Sequence, residues 1–161
     1  MASRLPKDFG SWIAVWFGAG LSPVAPGTMG SHAALPLGGL ILWVASPTGW
    51  IWLAVASVAL LPVGVWAAAG YERAGGQHDS SAIVVDEVVG QWLAMIPIAW
   101  SVWWHYLLAF WLFRVLDVLK PWPIRWIDRN TGAWSVMLDD VMAGILAGGL
   151  TWFVIDWEIF G

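Results

Sequence analysis

Five carboxylates in the chain could together hold a divalent cation. Asp86 and Glu87 form one adjacent pair, Asp139 and Asp140 form a second, and Asp117 lies between the pairs in sequence. Adjacent carboxylates repel each other unless a cation or a basic group lies between them. The chain has no cysteine, so its ligands would be hard oxygens, which favour Mg²⁺ bridged to a phosphate. We therefore predict that these five residues are metal ligands and catalytic residues.

Basic side chains accompany the carboxylates. Arg114, Asp117 and Lys120 are spaced i, i+3 and i+6, which places them near one face of a helix. Arg114 and Asp117 could form a purely structural ion pair, or Arg114 and Lys120 could bind phosphate oxygens. Arg125 follows in a segment that could contact anionic headgroups. The carboxylates and basic residues together predict metal-assisted phosphoryl transfer.

Two further segments are candidate phosphate sites. Residues 22–31 contain two prolines and two glycines, which predict an irregular loop before a helix. Thr28 or Ser31 could cap that helix and leave N–H groups for an anion, although plain turn chemistry explains the pattern equally well. We predict Gly27, Thr28, Gly30 and Ser31 as substrate-binding residues. His78 and Asp79 form the second segment, where the histidine could bind phosphate or metal.

The composition is typical of a membrane protein. Hydrophobic residues make up 60% of the 161 residues, charged residues only 11%, and there are 16 tryptophans. Soluble proteins average about 25% charged residues, and a small domain cannot bury this much apolar surface. The length predicts one domain, residues 1–161. The net charge of −4 argues against nucleic acid as a partner.

Uncharged runs define the predicted helices. Residues 9–71, 88–113 and 141–155 contain no Asp, Glu, Lys or Arg. We predict an all-α, polytopic membrane protein with about five membrane helices, some of them short, at 29–46, 49–72, 84–99, 105–120 and 138–157. Residues 9–21 are too few for a span and are expected to be interfacial or re-entrant.

Charge asymmetry predicts the orientation. With the N-terminus in the cytoplasm, all seven basic residues lie on or near the inner side, and the outer turns carry none. Asp156 and Glu158 alone lie on the far side. The candidate site would then face the cytoplasm. A proton-coupled transporter would place its carboxylates nearer the bilayer midplane.

Four motifs resemble the bacterial phosphatidylglycerophosphatase A family. They are residues 18–31, His78-Asp79 with residues 83–90, residues 113–125, and Asp139-Asp140. The resemblance covers about residues 12–155, and one departure is His32, where the family more often has an apolar residue. It implies a Mg²⁺-dependent membrane phosphatase that converts phosphatidylglycerophosphate to phosphatidylglycerol and phosphate.

The resemblance and the residues together give a mechanism to test. Asp86, Glu87, Asp139 and Asp140 would hold Mg²⁺, with Asp117 as a further candidate ligand. Arg114 and Lys120 would bind the phosphate, and residues 27–31 would supply backbone donors. The nucleophile would be an activated water or, less favourably, one aspartate. The alternatives are an enzyme like the CDP-alcohol phosphotransferases, whose motif is absent, a small carboxylate-based ion or proton-coupled transporter, and a structural membrane subunit.

Overall fold

The computed structural model describes residues 8–75, 80–99, 101–128 and 133–160. Its ordered elements are all helices, which confirms the predicted all-α class. After α1 (Phe9–Ala14) and a 3₁₀ helix (Trp16–Leu21) come six α-helices: α2 (Pro26–Val44), α3 (Gly49–Gly75), α4 (Val85–Met95), α5 (Trp103–Leu119), α6 (Ile124–Asp128) and α7 (Ala133–Phe160). The predicted N-terminal segment therefore divides into α1 and the 3₁₀ helix.

Helix α2 begins three residues earlier than predicted. Pro26 is its first residue, because proline has a fixed φ suited to that position and lacks an N–H that would go unbonded there. The residue before it, Ala25, is left-handed with φ of 48° and gives no side-chain cap. The predicted capping by Thr28 or Ser31 was wrong, and Gly27 to Ser31 lie in the first two helical turns rather than in a loop.

Helix α4 is short and central. It packs against α2, α3, α5 and α7, and nine of its eleven residues are buried. It ends at Met95 rather than at the predicted residue 99, because Pro97 has no N–H to donate to the carbonyl of Leu93 and its ring crowds the preceding turn. A helix buried all round belongs to the core of a bundle. Its first turn, which carries Asp86 and Glu87, is therefore held by four neighbouring helices.

Helices α4 and α7 approach to backbone contact. A Cβ added to Gly144 would lie 2.3 Å from the carbonyl oxygen of Gly90, and one added to Gly90 would lie 2.7 Å from that of Asp140. Small residues allow helices to pack this closely. The contact places the first turns of α4 beside the carboxylates of α7.

Helix α7 also begins earlier than predicted, at Ala133 instead of residue 138. Asp139 and Asp140 therefore lie in its second turn and do not open the helix, so their charges are not explained by capping. Helix α6, within the predicted inner loop, was not predicted.

Two of the described helices are long and apolar enough to cross a membrane. They are residues 49–74 of α3 and 137–158 of α7, with mean hydropathies of 2.1 and 1.5. Tryptophans on the bundle surface, among them Trp43, Trp66, Trp111 and Trp152, are more than half exposed. Apolar surface this extensive marks an interaction site, which fits membrane association.

Candidate active site

Three carboxylates converge where α4 meets α7. Asp86 and Glu87 lie in the first turn of α4, and Asp140 lies in the second turn of α7. One oxygen from each lies within 4.8 Å of the others. Asp86 and Asp140 are only 6% and 4% exposed, so their charges are largely removed from water. Burying like charges this close together is costly unless a cation lies between them.

The carboxylate of Glu87 reaches towards the start of α2. A Cβ added to Gly27 would lie 2.3 Å from Glu87 Oε1 and 3.5 Å from an Arg114 guanidinium nitrogen. The position therefore accepts glycine alone without displacing the carboxylate. Glu87 Oε2 is buried and has no hydrogen-bond partner among the described residues. An orphaned carboxylate oxygen beside two other carboxylates fits a hard divalent cation.

Arg114, on α5, lies beside the three converging carboxylates. Its guanidinium donates to Asp117 Oδ2 at 2.6 Å and, more weakly, to Ser31 Oγ at 3.4 Å. Ser31 Oγ in turn donates to the carbonyl of Gly27 at 2.9 Å. The structure thus contains the Arg114–Asp117 ion pair that the spacing allows. Asp117 also interacts electrostatically with Asp86, Glu87 and Asp140, so it lies beside these three converging carboxylates.

Asp139 and Asp140 have different partners although they are adjacent. Lys120 Nζ donates to Asp139 Oδ2 at 2.6 Å, and the Asp140 amide donates to Asp139 Oδ1 at 3.1 Å. Successive helical residues point about 100° apart, so Asp139 faces α5 while Asp140 faces α4. Lys120 is itself left-handed, with φ of 43°, and ends α5. Among the described residues, the carboxylates that converge are thus Asp86, Glu87 and Asp140.

The other predicted residues are more scattered. Gly30 packs on Val84, whose Cβ would lie 2.6 Å from an added Cβ, so its role is close packing. Thr28 is half-buried in the first turn of α2, and Arg125 is exposed on α6. The predictions for His78 and Asp79 lie outside the described residues.

Sequence reasoning missed one polar residue in this region. Gln91 of α4 is fully buried, and neither atom of its carboxamide has a partner in the described part of the chain. A signal was present, because Gln91 is a polar residue inside the uncharged run 88–113 and lies four residues after Glu87.

Comparison with known proteins identifies relatives over most of the chain. The sequence model of the family described as phosphatidylglycerophosphatase A matches residues 12–155. Phosphatidylglycerophosphatase A of Escherichia coli strain K12 is 39% identical over 145 residues, which cover 88% of this chain and 81% of the relative. The Haemophilus influenzae protein of that name is 36% identical over 148 residues, covering 91% and 89%.

A third relative carries a different name. A Bacteroides thetaiotaomicron protein, provisionally named a phosphatidylinositol-3-phosphatase, is 38% identical over 143 residues, covering 83% of this chain and 85% of the relative. No solved structure matches the chain significantly.

Proposed function

The chain belongs to the phosphatidylglycerophosphatase A family, and we propose that it is the phosphoric monoester hydrolase that converts phosphatidylglycerophosphate to phosphatidylglycerol and phosphate. This reaction belongs to glycerophospholipid biosynthesis. The observation that carries the proposal is the convergence of Asp86, Glu87 and Asp140 within 4.8 Å, beside the guanidinium of Arg114. Phosphoryl transfer needs carboxylates that hold a metal ion and a cationic side chain that binds the phosphate.

Asp86, Glu87 and Asp140 are the residues that would hold Mg²⁺. Their oxygens are hard ligands, and a cation would explain why Glu87 Oε2 is buried without a partner in the described part of the chain. When bound, Mg²⁺ would neutralise charge on the transferred phosphoryl group and make water more acidic. Asp139 and Asp117 are the further candidate ligands, and each is paired with a basic side chain, Lys120 and Arg114 respectively.

The basic side chains bind the phosphate. Arg114 is held in place by Asp117 and Ser31, so its remaining donors are oriented before substrate arrives. Lys120, held by Asp139, lies at the adjacent end of α5 and contacts a second phosphate oxygen. The Gly27 and Thr28 amides belong to the first turn of α2, where helical N–H groups lack intrahelical partners, and the dipole favours an anion.

The proposed reaction is an in-line displacement at phosphorus. A water oxygen bonds to phosphorus and the water gives up one proton, while the bond from phosphorus to the glycerol oxygen breaks and the glycerol oxygen takes up one proton. The alternative is attack by one aspartate, which gives an aspartyl phosphate that water then hydrolyses. Turnover of a substrate chiral at phosphorus distinguishes them: we expect inversion from the single displacement, and retention would show the aspartyl intermediate.

We place the site at the cytoplasmic face of the inner membrane. In this arrangement α2, α3, α4, α5 and α7 are the five membrane helices, and the segment from α1 to the 3₁₀ helix lies at the interface. The concentration of basic residues on one side supports the orientation. His105 and Glu158, which approach within 3.4 Å, would then lie together at the outer ends of α5 and α7.

A substrate panel tests the proposed function. Purified protein in detergent micelles is supplied with phosphatidylglycerophosphate, phosphatidate or phosphatidylinositol 3-phosphate, and phosphate release is measured. We expect phosphatidylglycerophosphate to give the highest kcat/KM. A preference for phosphatidylinositol 3-phosphate would instead assign the activity that the Bacteroides relative's name describes.

A further inference from the structure

Gln91 is a buried polar side chain that the proposed mechanism does not use. It is 0% exposed, and both Oε1 and Nε2 lack a hydrogen-bond partner among the described residues. Buried polar groups are nearly always hydrogen-bonded, because an unsatisfied one loses its bonds to water without compensation. Two such atoms on one side chain indicate that a ligand completes their bonding.

Gln91 lies one helical turn from a carboxylate of the candidate site. It follows Glu87 by four residues, so the two share a face of α4, on which side chains are expected to lean towards the N-terminus of the helix. This places Gln91 one turn after Glu87, whose Oε2 is also buried and has no partner among the described residues. Two orphaned groups on one face, one turn apart, point to a single polar ligand beside both.

The ligand lies on the side where the phosphate would bind. Glu87 points to Gly27 and to the guanidinium of Arg114, and Gln91 continues that face about 6 Å further along α4. In the proposed orientation, this direction leads into the membrane. A lipid whose terminal phosphate is held at Arg114 would therefore present the next part of its headgroup to Gln91.

We propose that Gln91 binds the free hydroxyl of the headgroup glycerol that carries the phosphate. This inference rests on the proposed function. A carboxamide offers a donor and an acceptor, and a hydroxyl offers the same pair. The hydroxyl donates to Oε1 and accepts from Nε2, so one substrate group completes both orphaned atoms. Gln91 thus favours lipid phosphomonoesters that have a glycerol headgroup over those that lack one.

A substrate lacking one oxygen tests this contact. The analogue has a 1,3-propanediol headgroup, in which the hydroxyl of phosphatidylglycerophosphate is replaced by hydrogen. A site built to hydrogen-bond a hydroxyl discriminates against its absence, so we expect the wild-type protein to prefer the natural lipid in kcat/KM by about 10-fold or more. Gln91→Met, which conserves volume, is expected to abolish the preference by slowing the natural lipid alone.

The control is Thr151→Val, at a buried polar residue bonded to the carbonyl of Ala147 at 2.8 Å. It should keep the wild-type preference. Equal losses on both lipids in Gln91→Met would show a structural role, and a changed Mg²⁺ requirement with an unchanged preference would show a metal ligand. Either result overturns the inference. A wild-type protein without preference for the natural lipid also overturns it, and that measurement does not depend on a variant that folds. Wild-type protein that releases phosphate from neither lipid would instead refute the proposed function itself.

Discussion

Asp140 is a buried carboxylate, and among the described residues no basic side chain pairs with it. Its carboxylate lies beside those of Asp86 and Glu87. In the proposed site, repulsion among these carboxylates would lower the stability of the metal-free protein, and a bound cation would relieve it.

Asp140→Asn separates the loss of a proposed metal ligand from the relief of repulsion among the carboxylates. We expect phosphate release to fall about 100-fold or more, because a ligand charge is lost. The thermal midpoint in EDTA should stay the same or rise, because one repelling charge is removed. Asp156→Asn, at the far end of α7, is the matched carboxylate control and should change neither property. Near-normal turnover in Asp140→Asn would contradict the proposed site.

Gly27→Ala tests the contact between α2 and Glu87. The added Cβ would lie 2.3 Å from Glu87 Oε1, so the carboxylate must move away from Asp86 and Asp140. We expect kcat to fall about 10-fold or more with a raised Mg²⁺ requirement. Gly70→Ala, where an added Cβ meets no described atom within 4 Å beyond the backbone of its own helix, should leave activity unchanged. If Gly27→Ala binds Mg²⁺ as the wild type does, the contact does not position Glu87.

The residues of the site were partly predictable. Asp86, Glu87, Arg114 and Asp140 were identifiable because charged residues are rare in so apolar a chain and costly near a membrane. Which of Asp139 and Asp140 joins the converging carboxylates could not be predicted, because this depends on where α7 begins and thus on which side chain faces α4. Gln91 was missed because an uncharged polar residue in an apolar run has no charge to mark it.

At the scale of helices, long apolar segments were predicted well and their ends less so. Helices α3 and α5 begin and end within three residues of prediction. The errors at α2 and α4 come from prolines, whose position relative to the helix decides whether they begin it or end it. The early start of α7 was missed because residues 133–137 carry no capping signal that distinguishes them from a loop. The short α6 follows the predicted stop at Pro121 and Pro123 and has no periodicity to detect.

Gly144→Ala tests the crossing of α4 and α7. The methyl group would lie 2.3 Å from the carbonyl oxygen of Gly90, so the helices must separate. We expect a destabilisation of about 1–3 kcal/mol and a loss of activity, since the two helices carry the converging carboxylates. Thermal unfolding in detergent measures the first and phosphate release the second.

The control for that crossing is Gly149→Ala, on the same helix, where an added Cβ meets no described atom within 4 Å beyond the backbone of α7. It should retain stability and activity. Equal behaviour of the two variants would show that the close approach at Gly144 does not hold the site together.

At the scale of the whole molecule, the absence of cysteine makes the orientation testable. Ser46→Cys lies in the turn between α2 and α3, and Arg125→Cys lies on α6; both positions are exposed. In intact spheroplasts, a membrane-impermeant maleimide should label the first and not the second, because basic segments stay inside. Permeabilised cells should label both, and the native chain should stay unlabelled. If Arg125→Cys alone were labelled in spheroplasts, the topology would be the reverse of the one proposed.

The proposed lipid phosphatase activity depends on a metal ion held by Asp86, Glu87 and Asp140. The most direct test measures phosphate release from phosphatidylglycerophosphate by the purified wild-type protein, with Mg²⁺, with excess EDTA, and after Mg²⁺ is restored. We predict release with Mg²⁺, its loss in EDTA, and its full recovery. Release that continues unchanged in EDTA would contradict the metal site, and no release from folded protein in any condition would contradict the enzyme.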